Sequence, residues 1–219
     1  MTSAASAPIR LASASPGFVP VASAMLHPDS VREIDKRHRH EIGVHGWIHE
    51  NYRAVNDRDD EERLITDSID YLTELLGRRP VGFRAPSWVF SRHTPGLIRE
   101  AGFLYDSSLM AMDSPYELVS DGEPTGVVEL PVDWALDDHP YFARSGTLAS
   151  PKLVFRIYRD EFDVAYNERT MLVLTLHPHV IGHRSRITHL DRLIAYMKSK
   201  PGVWFATGEQ IASYVKGAG

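Results

Sequence analysis

Cysteine is absent from the 219 residues. Disulfides, thiolate catalysis and cysteine-ligated zinc are therefore excluded, and any metal must be held by His, Asp or Glu. There is no long run of positive charge either. The formal net charge is -5, with 24 Lys and Arg against 29 Asp and Glu. That balance argues against nucleic acid as a partner, because phosphate backbones select basic faces. No apolar run approaches the roughly 20 residues that span a bilayer, so no membrane partner is expected. The start of the chain lacks carboxylates, and its first Asp is Asp29. Residues 1–24 hold seven Ala and five Ser but few large apolar side chains. Only Arg10 is basic there, and Pro8, Ser13, Ser15 and Pro16 interrupt the stretch. A signal peptide needs a basic start and an apolar run of about 7–15 residues. Residues 1–17 are accordingly expected to be weakly structured, and the chain to be cytoplasmic.

What is present is ordinary globular material, 43% hydrophobic and 24% charged, enough for one α/β domain over residues 18–219. Apolar spacing and capping signals predict helices over Pro28–His38, Asp57–Leu76, Thr94–Ala101, Lys152–Tyr166 and Thr188–Met197. A last helix is predicted after Thr207, where Gln210 three residues on completes a capping box. Short β-rich runs predict strands over Glu41–His45, Val81–Arg84, Phe103–Asp106, Val127–Val132, Met171–Leu176 and Val203–Ala206. Met171–Leu176 is a continuous apolar run of the fully buried kind. Strands alternating with helices imply a parallel sheet. Loops rich in His, Trp, Asp and Arg after short strands favour a barrel-like closure with a site at the C-terminal strand ends.

Three segments that follow predicted strands carry the chemistry. The first is His45-Gly46-Trp47-Ile48-His49-Glu50. Two histidines four apart can face one point if the chain curls after the strand. A zincin needs Glu directly after the first His, and Gly46 excludes it. Taken alone, the pair reads equally as two loop histidines without a metal. The second segment is Arg84-Ala85-Pro86-Ser87-Trp88. Arg84 at a strand end can orient a carboxylate bidentately, and Trp88 offers a flat surface, although a surface Arg and a core Trp are the commoner explanations. The third is Leu174-Thr175-Leu176-His177-Pro178. A His held between a buried strand and a Pro suits a general acid near neutral pH, and suits a structural hydrogen-bonded His as well.

Taken in order, these segments resemble the NodB-type polysaccharide deacetylases. The resemblance includes Gly102-Phe103-Leu104-Tyr105-Asp106-Ser107-Ser108, Leu130-Pro131-Val132-Asp133-Trp134 and Leu136-Asp137-Asp138, and runs from about Phe18 to the C-terminus. It is closest to the branch holding peptidoglycan-deacetylase-like, allantoinase-like and cyclic imide hydrolase proteins. It implies a distorted (β/α)7-type barrel. It also implies a divalent metal, usually zinc, on His45, His49 and an Asp. Arg84 would support the catalytic base, and His177 would be the general acid. Trp47, Trp88, Trp134, Asp137 and Asp138 would shape the substrate pocket. The implied reaction is metal-dependent hydrolysis of a non-peptide carbon–nitrogen bond. Its substrate would be an N-acetylated saccharide or a small cyclic amide.

The resemblance breaks at the start. The family's first motif, an Asp pair at a strand end, has no counterpart before Phe18, and Asp29 and Asp35 fall in a predicted helix. The base, the third metal ligand and the first barrel strand are thus expected to be missing, by truncation in preference to natural loss. Such a chain is expected to turn over little on its own, and a free sheet edge leaves a homo-oligomer open. The competing class is a carbohydrate-binding pseudoenzyme that stacks sugars on its Trp residues without hydrolysis.

Overall fold

Acidic first turns, αL glycines and reciprocal caps start and stop the helices. The computed structural model describes residues 15–38, 40–143 and 149–217. It opens with β1 (Pro16–Val19), α1 (Val21–Leu26), α2 (Pro28–His38) and β2 (Glu41–Val44). Next come α3 (Arg58–Leu76), β3 (Gly82–Phe83), α4 (Thr94–Glu100) and β4 (Tyr105–Asp106). A hairpin of β5 (Tyr116–Ser120) and β6 (Glu123–Glu129) follows, then α5 (His139–Phe142) and α6 (Pro151–Glu168). The chain ends with α7 (Pro178–Ile181), α8 (Arg184–Lys198) and α9 (Gly208–Gly217).

Helix α3 shows the local logic. The Asp57 side chain accepts from the Asp59 N–H at 2.8 Å, and Asp59, Asp60 and Glu61 complement the helix dipole. Gly77, at φ 72°, ends the helix in the left-handed region. Ile65, Ile69 and Leu72 are buried on one face. Each is worth about 1.5–3 kcal/mol relative to exposure. The capping box at α9 forms in both directions. Thr207 N–H donates to Gln210 Oε1 at 3.0 Å, and Gln210 N–H to Thr207 Oγ1 at 3.2 Å.

The sheet order is β1-β2-β3-β4-β6-β5, parallel except for β5 at the edge. One core packs β2 and β3 against α1, α3 and α4, through Val21, Ile42, Val44, Phe83, Ile65, Leu72 and Ile98. A second joins α6 and α8 through Val154, Tyr158, Leu190 and Met197. Tyr105 is threaded between two glycines: a Cβ at either Gly82 or Gly208 would lie 2.2 Å from its ring. That contact ties α9 to the sheet.

Two expectations are corrected. Met171–Leu176 and Val203–Ala206 are not strands, and the first makes only an isolated bridge, Thr175 to Asp137. Strands exist by pairing, and among the described residues the outer edge of β1 has no partner. Between that edge and these two segments lies a cavity of about 2850 Å³. The apolar side chains of Met171–Leu174 are half-buried along it, where the sequence implies full burial. The expected weak segment, residues 1–17, lies mostly outside the described residues, but Pro16 and Gly17 belong to β1. Helix α1 and strand β5 were not foreseen. The architecture is the α/β parallel sheet of a distorted barrel, open on one side among the described residues.

Candidate active site

The C-terminal ends of β2 and β3 and the segment ending at Leu176 deliver their polar side chains into that one cavity. His45, His49, Arg84, Trp88, Trp134, Asp137 and His177 all line it. His45 follows β2, and its ring nitrogen Nδ1 lies 2.8 Å from the Arg84 carbonyl. A carbonyl can only accept, so Nδ1 carries the proton and Nε2 keeps its lone pair. Burial pushes the His45 imidazole down to about 3, which keeps it neutral at pH 7. The His49 ring lies 4.9 Å from the His45 ring, centroid to centroid, at 78°. A neutral imidazole with its far nitrogen fixed by a backbone carbonyl is what a divalent metal requires of a ligand. His45 therefore fits a metal as a ligand, and the His49 ring stands close enough to share it. Among the described residues no carboxylate completes a three-ligand group with them.

Arg84 follows β3 and is buried. Nε donates to the Ser107 carbonyl at 2.7 Å and Nη2 to Ser107 Oγ at 2.6 Å. Nη1 reaches Thr175 Oγ1 at 3.3 Å, and the guanidinium stacks 4.3 Å from the centroid of Phe18. Burial lowers its pKa to about 10. The turn that holds it is itself braced by carboxyl groups. Glu129 Oε1 accepts from the Ser108 and Leu109 N–H groups at 2.9 Å each, and Asp106 accepts from Ser108 N–H and Oγ. Both acids are fully buried. Burial and the neighbouring Asp106 charge push Glu129 far up, and burial pushes Asp106 up, so the pair holds a proton.

His177 sits opposite. Asp138 Oδ1 is 2.7 Å from its Nδ1, and the Asp138 carboxylate also accepts from the His177 N–H. The hydrogen bond to Asp138 raises the His177 pKa against the opposing effect of burial. Asp137, Asp138 and His177 could by distance alone group around a metal. Asp137 Oδ1 is already committed to the His139 N–H and His177 Nδ1 to Asp138, so that Asp138 and His177 form an orienting Asp–His pair.

Two sequence expectations change here. Asp138 is fully buried behind His177 and so contacts the histidine in place of substrate. Trp47 does not line the cavity; it packs against Tyr71 at 6.4 Å on the core side of the loop. Trp88 and Trp134 do meet at the cavity, 4.3 Å apart. Backbone strain gathers in the same loops: His49, Ser87 and Trp88 are non-glycine residues with φ of 66°, 56° and 58°. Asp106 lies in the Gly102–Ser108 segment of the resemblance without a role assigned to it there, and the bracing acid Glu129 and the rim residue His139 carry no sequence signal beyond their residue types.

The family model for polysaccharide deacetylase matches residues 16–105. The peptidoglycan deacetylase of Helicobacter pylori is 32% identical over 203 residues, covering 79% of this chain and 69% of that protein. The crystal structure of a Mycobacterium smegmatis protein described as a polysaccharide deacetylase superposes with a TM-score of 0.85 at 39% identity, covering 94% of this chain and 73% of that one. The PuuE allantoinase superposes with a TM-score of 0.83 at 30% identity, covering 94% of this chain and 68% of that one. A CE4-family pseudoenzyme from Bacillus anthracis shares the fold, with a TM-score of 0.60 at 11% identity. On the strength of the sequence identity and of the length it spans, this chain belongs to the polysaccharide deacetylase family.

Proposed function

We propose that this chain carries the site of a hydrolase of non-peptide carbon–nitrogen bonds, acting on the N-acetyl group of a saccharide or the ring of a small cyclic amide, with low turnover of its own because no base or third metal ligand stands beside His45 and His49 among the described residues. One observation carries the reading: His45 and His49 after β2, Arg84 after β3 and His177 after the segment ending at Leu176 all line a single cavity. His45 and His49 would hold a divalent metal, zinc in this reading. Bound there, it would polarise the scissile carbonyl and activate water.

The remaining chemistry belongs to the chain. As the carbon–nitrogen bond breaks, the leaving nitrogen needs a proton, and His177 supplies it from Nε2. Asp138 fixes the His177 ring through Nδ1 and keeps the imidazole protonated to higher pH. Arg84 is a buried cation with no ion-pair partner among the described residues. In this reading it would support a catalytic base supplied as a carboxylate, which the described residues do not place beside His45 and His49. Asp137 lines the cavity beside His177, and Trp88 and Trp134 offer a wall for a sugar face or a planar ring.

The test is a substrate panel: N-acetylated amino-sugar oligomers, succinimide-like rings and allantoin, each with and without chelator. Chelator-sensitive release of acetate or ring-opened product supports the reading and separates the two substrate classes. Product release that chelator leaves unchanged would count against it, as would zinc-supplied protein that neither turns over nor binds any of these substrates.

A second reading, saccharide binding without turnover, draws on the lack of a carboxylate beside His45 and His49 among the described residues. It requires oligosaccharide affinity that survives both chelation and His45→Ala.

A further inference from the structure

The motif after β2 ends on Glu50, a residue with no part in the reaction above. Between His45 and His49 the backbone must reverse so that both imidazoles meet. Two left-handed residues make the reversal, Gly46 at φ 72° and His49 at φ 66°. For His49 this conformation is unfavourable and lasts only where the surroundings impose it. The surroundings form a two-sided clamp. On one side the first N–H groups of α1 hold the loop carbonyls, Val21 to Gly46 at 3.1 Å and Ala22 to Trp47 at 2.8 Å. On the other side the Glu50 carboxylate holds the loop amides. Trp47 N–H is shared between its two oxygens at 3.0 Å each, and Ile48 N–H donates to Oε2 at 2.8 Å. The carboxylate lies directly against the turn. A Cβ at position 46 would fall 2.8 Å from Glu50 Oε1 and 3.0 Å from Pro86 Cγ.

We propose that Glu50 is a positioning residue for the metal: it locks the left-handed turn that sets His49 opposite His45, and so sets the affinity of the site. The inference rests on His45 and His49 being metal ligands. Three features distinguish this from a general role in folding. The ligand end of the loop is at the surface, with Ile48 67% exposed and His49 exposed, so Glu50 braces the rim there, although Trp47 packs toward the core. A carboxylate is the one side chain that offers two acceptor oxygens and no donor to converging amides, and Gln in its place would turn an NH₂ toward them. Finally, the hydrogen bonds are made to the residues between the two ligands, where a small backbone rotation moves one imidazole relative to the other. Residues that orient ligands in this way typically change metal affinity about 10–100-fold when mutated.

The probe is zinc alone, titrated in competition with a chromophoric chelator into the wild-type chain, E50Q, E50A and the His45→Ala/His49→Ala double variant. Thermal unfolding of each metal-free protein and amide hydrogen exchange are measured alongside. E50A is expected to bind zinc about 10–100-fold more weakly than wild type, with E50Q in between. Exchange at the Trp47 and Ile48 amides should speed up in both, while the unfolding midpoint and the α3 amides stay at wild-type values. Equal zinc affinity in wild type and E50A overturns the inference and leaves the two-histidine site standing. A drop in affinity matched by a drop in the metal-free midpoint overturns it too, because the role is then general folding. Zinc binding that is absent from wild type, or undiminished in the double variant, overturns the ligand reading and the Glu50 inference with it.

Discussion

The two halves of the site are built differently. His45 and Arg84 stand at the ends of β2 and β3, inside a parallel ladder and over a continuous core. His177 stands after a segment that has one bridge and faces the cavity. The first half takes its geometry from backbone pairing. The second takes it from a few side-chain hydrogen bonds, chiefly those of Asp138. Ladders spread the cost of any single substitution, whereas a lone buried carboxylate does not.

That contrast can be broken first in the core. Leu72→Ala beneath β2 is expected to cost about 2–5 kcal/mol in urea unfolding, the largest stability effect among these variants. Gly82→Ala pushes a methyl into Tyr105 and is expected to cost about 1–3 kcal/mol or more. Equal stability for Gly82→Ala and wild type would show that Tyr105 moves freely and does not tie α9 to the sheet. In the other half, Asp138→Asn is expected to cost about 1–3 kcal/mol and to bring the His177 pKa down, read by NMR titration. The sign follows from linkage. The pKa of His177 is raised in the fold, so its contribution to stability is complete below the unfolded value of 6.5 and is lost as pH rises through the folded one. Asp138→Asn should flatten stability in that window, and an unchanged His177 titration would contradict the pairing.

Glu129 provides a finer test. Its folded pKa lies above the ordinary 4.5, so the fold keeps a proton that the unfolded chain gives up. Stability should therefore fall as pH rises above about 4.5, by up to ~1.4 kcal/mol per pH unit for one proton. Glu129→Gln keeps the neutral shape and should remove that slope, gaining on wild type at pH 8 and not at pH 4. Parallel stability curves for the two proteins would mean that the Asp106–Glu129 pair holds no proton.

Legibility in the sequence follows the same divide. Capped, amphipathic elements can be read directly: Asp57 and Gly77 bound α3, and Thr207 with Gln210 starts α9. Pro28–His38 forms as predicted, although Ile34 on its expected inner face is 39% exposed. Helix α1 was hidden because its Ala and Ser give no periodic pattern. The β5–β6 hairpin does carry a sequence signal, Asp121-Gly122, at φ 53° and 83°. Composition reports that Met171–Leu176 is apolar and extended, not that a neighbour is there to pair with it. In the site, ligand-type residues announced themselves by spacing, whereas their supports did not. Asp138 lies 39 positions from His177, and no local pattern can show a contact across that separation. Trp47 had the composition of a stacking residue, and only packing against Tyr71 reveals that it faces the other way.

The proposed reaction turns on whether His45 and His49 together hold a metal. The most direct test is the zinc content and affinity of the purified chain beside the His45→Ala/His49→Ala variant. One equivalent of zinc is expected in the chain, and its loss in the variant. Zinc absent from both, or retained equally by both, would contradict it.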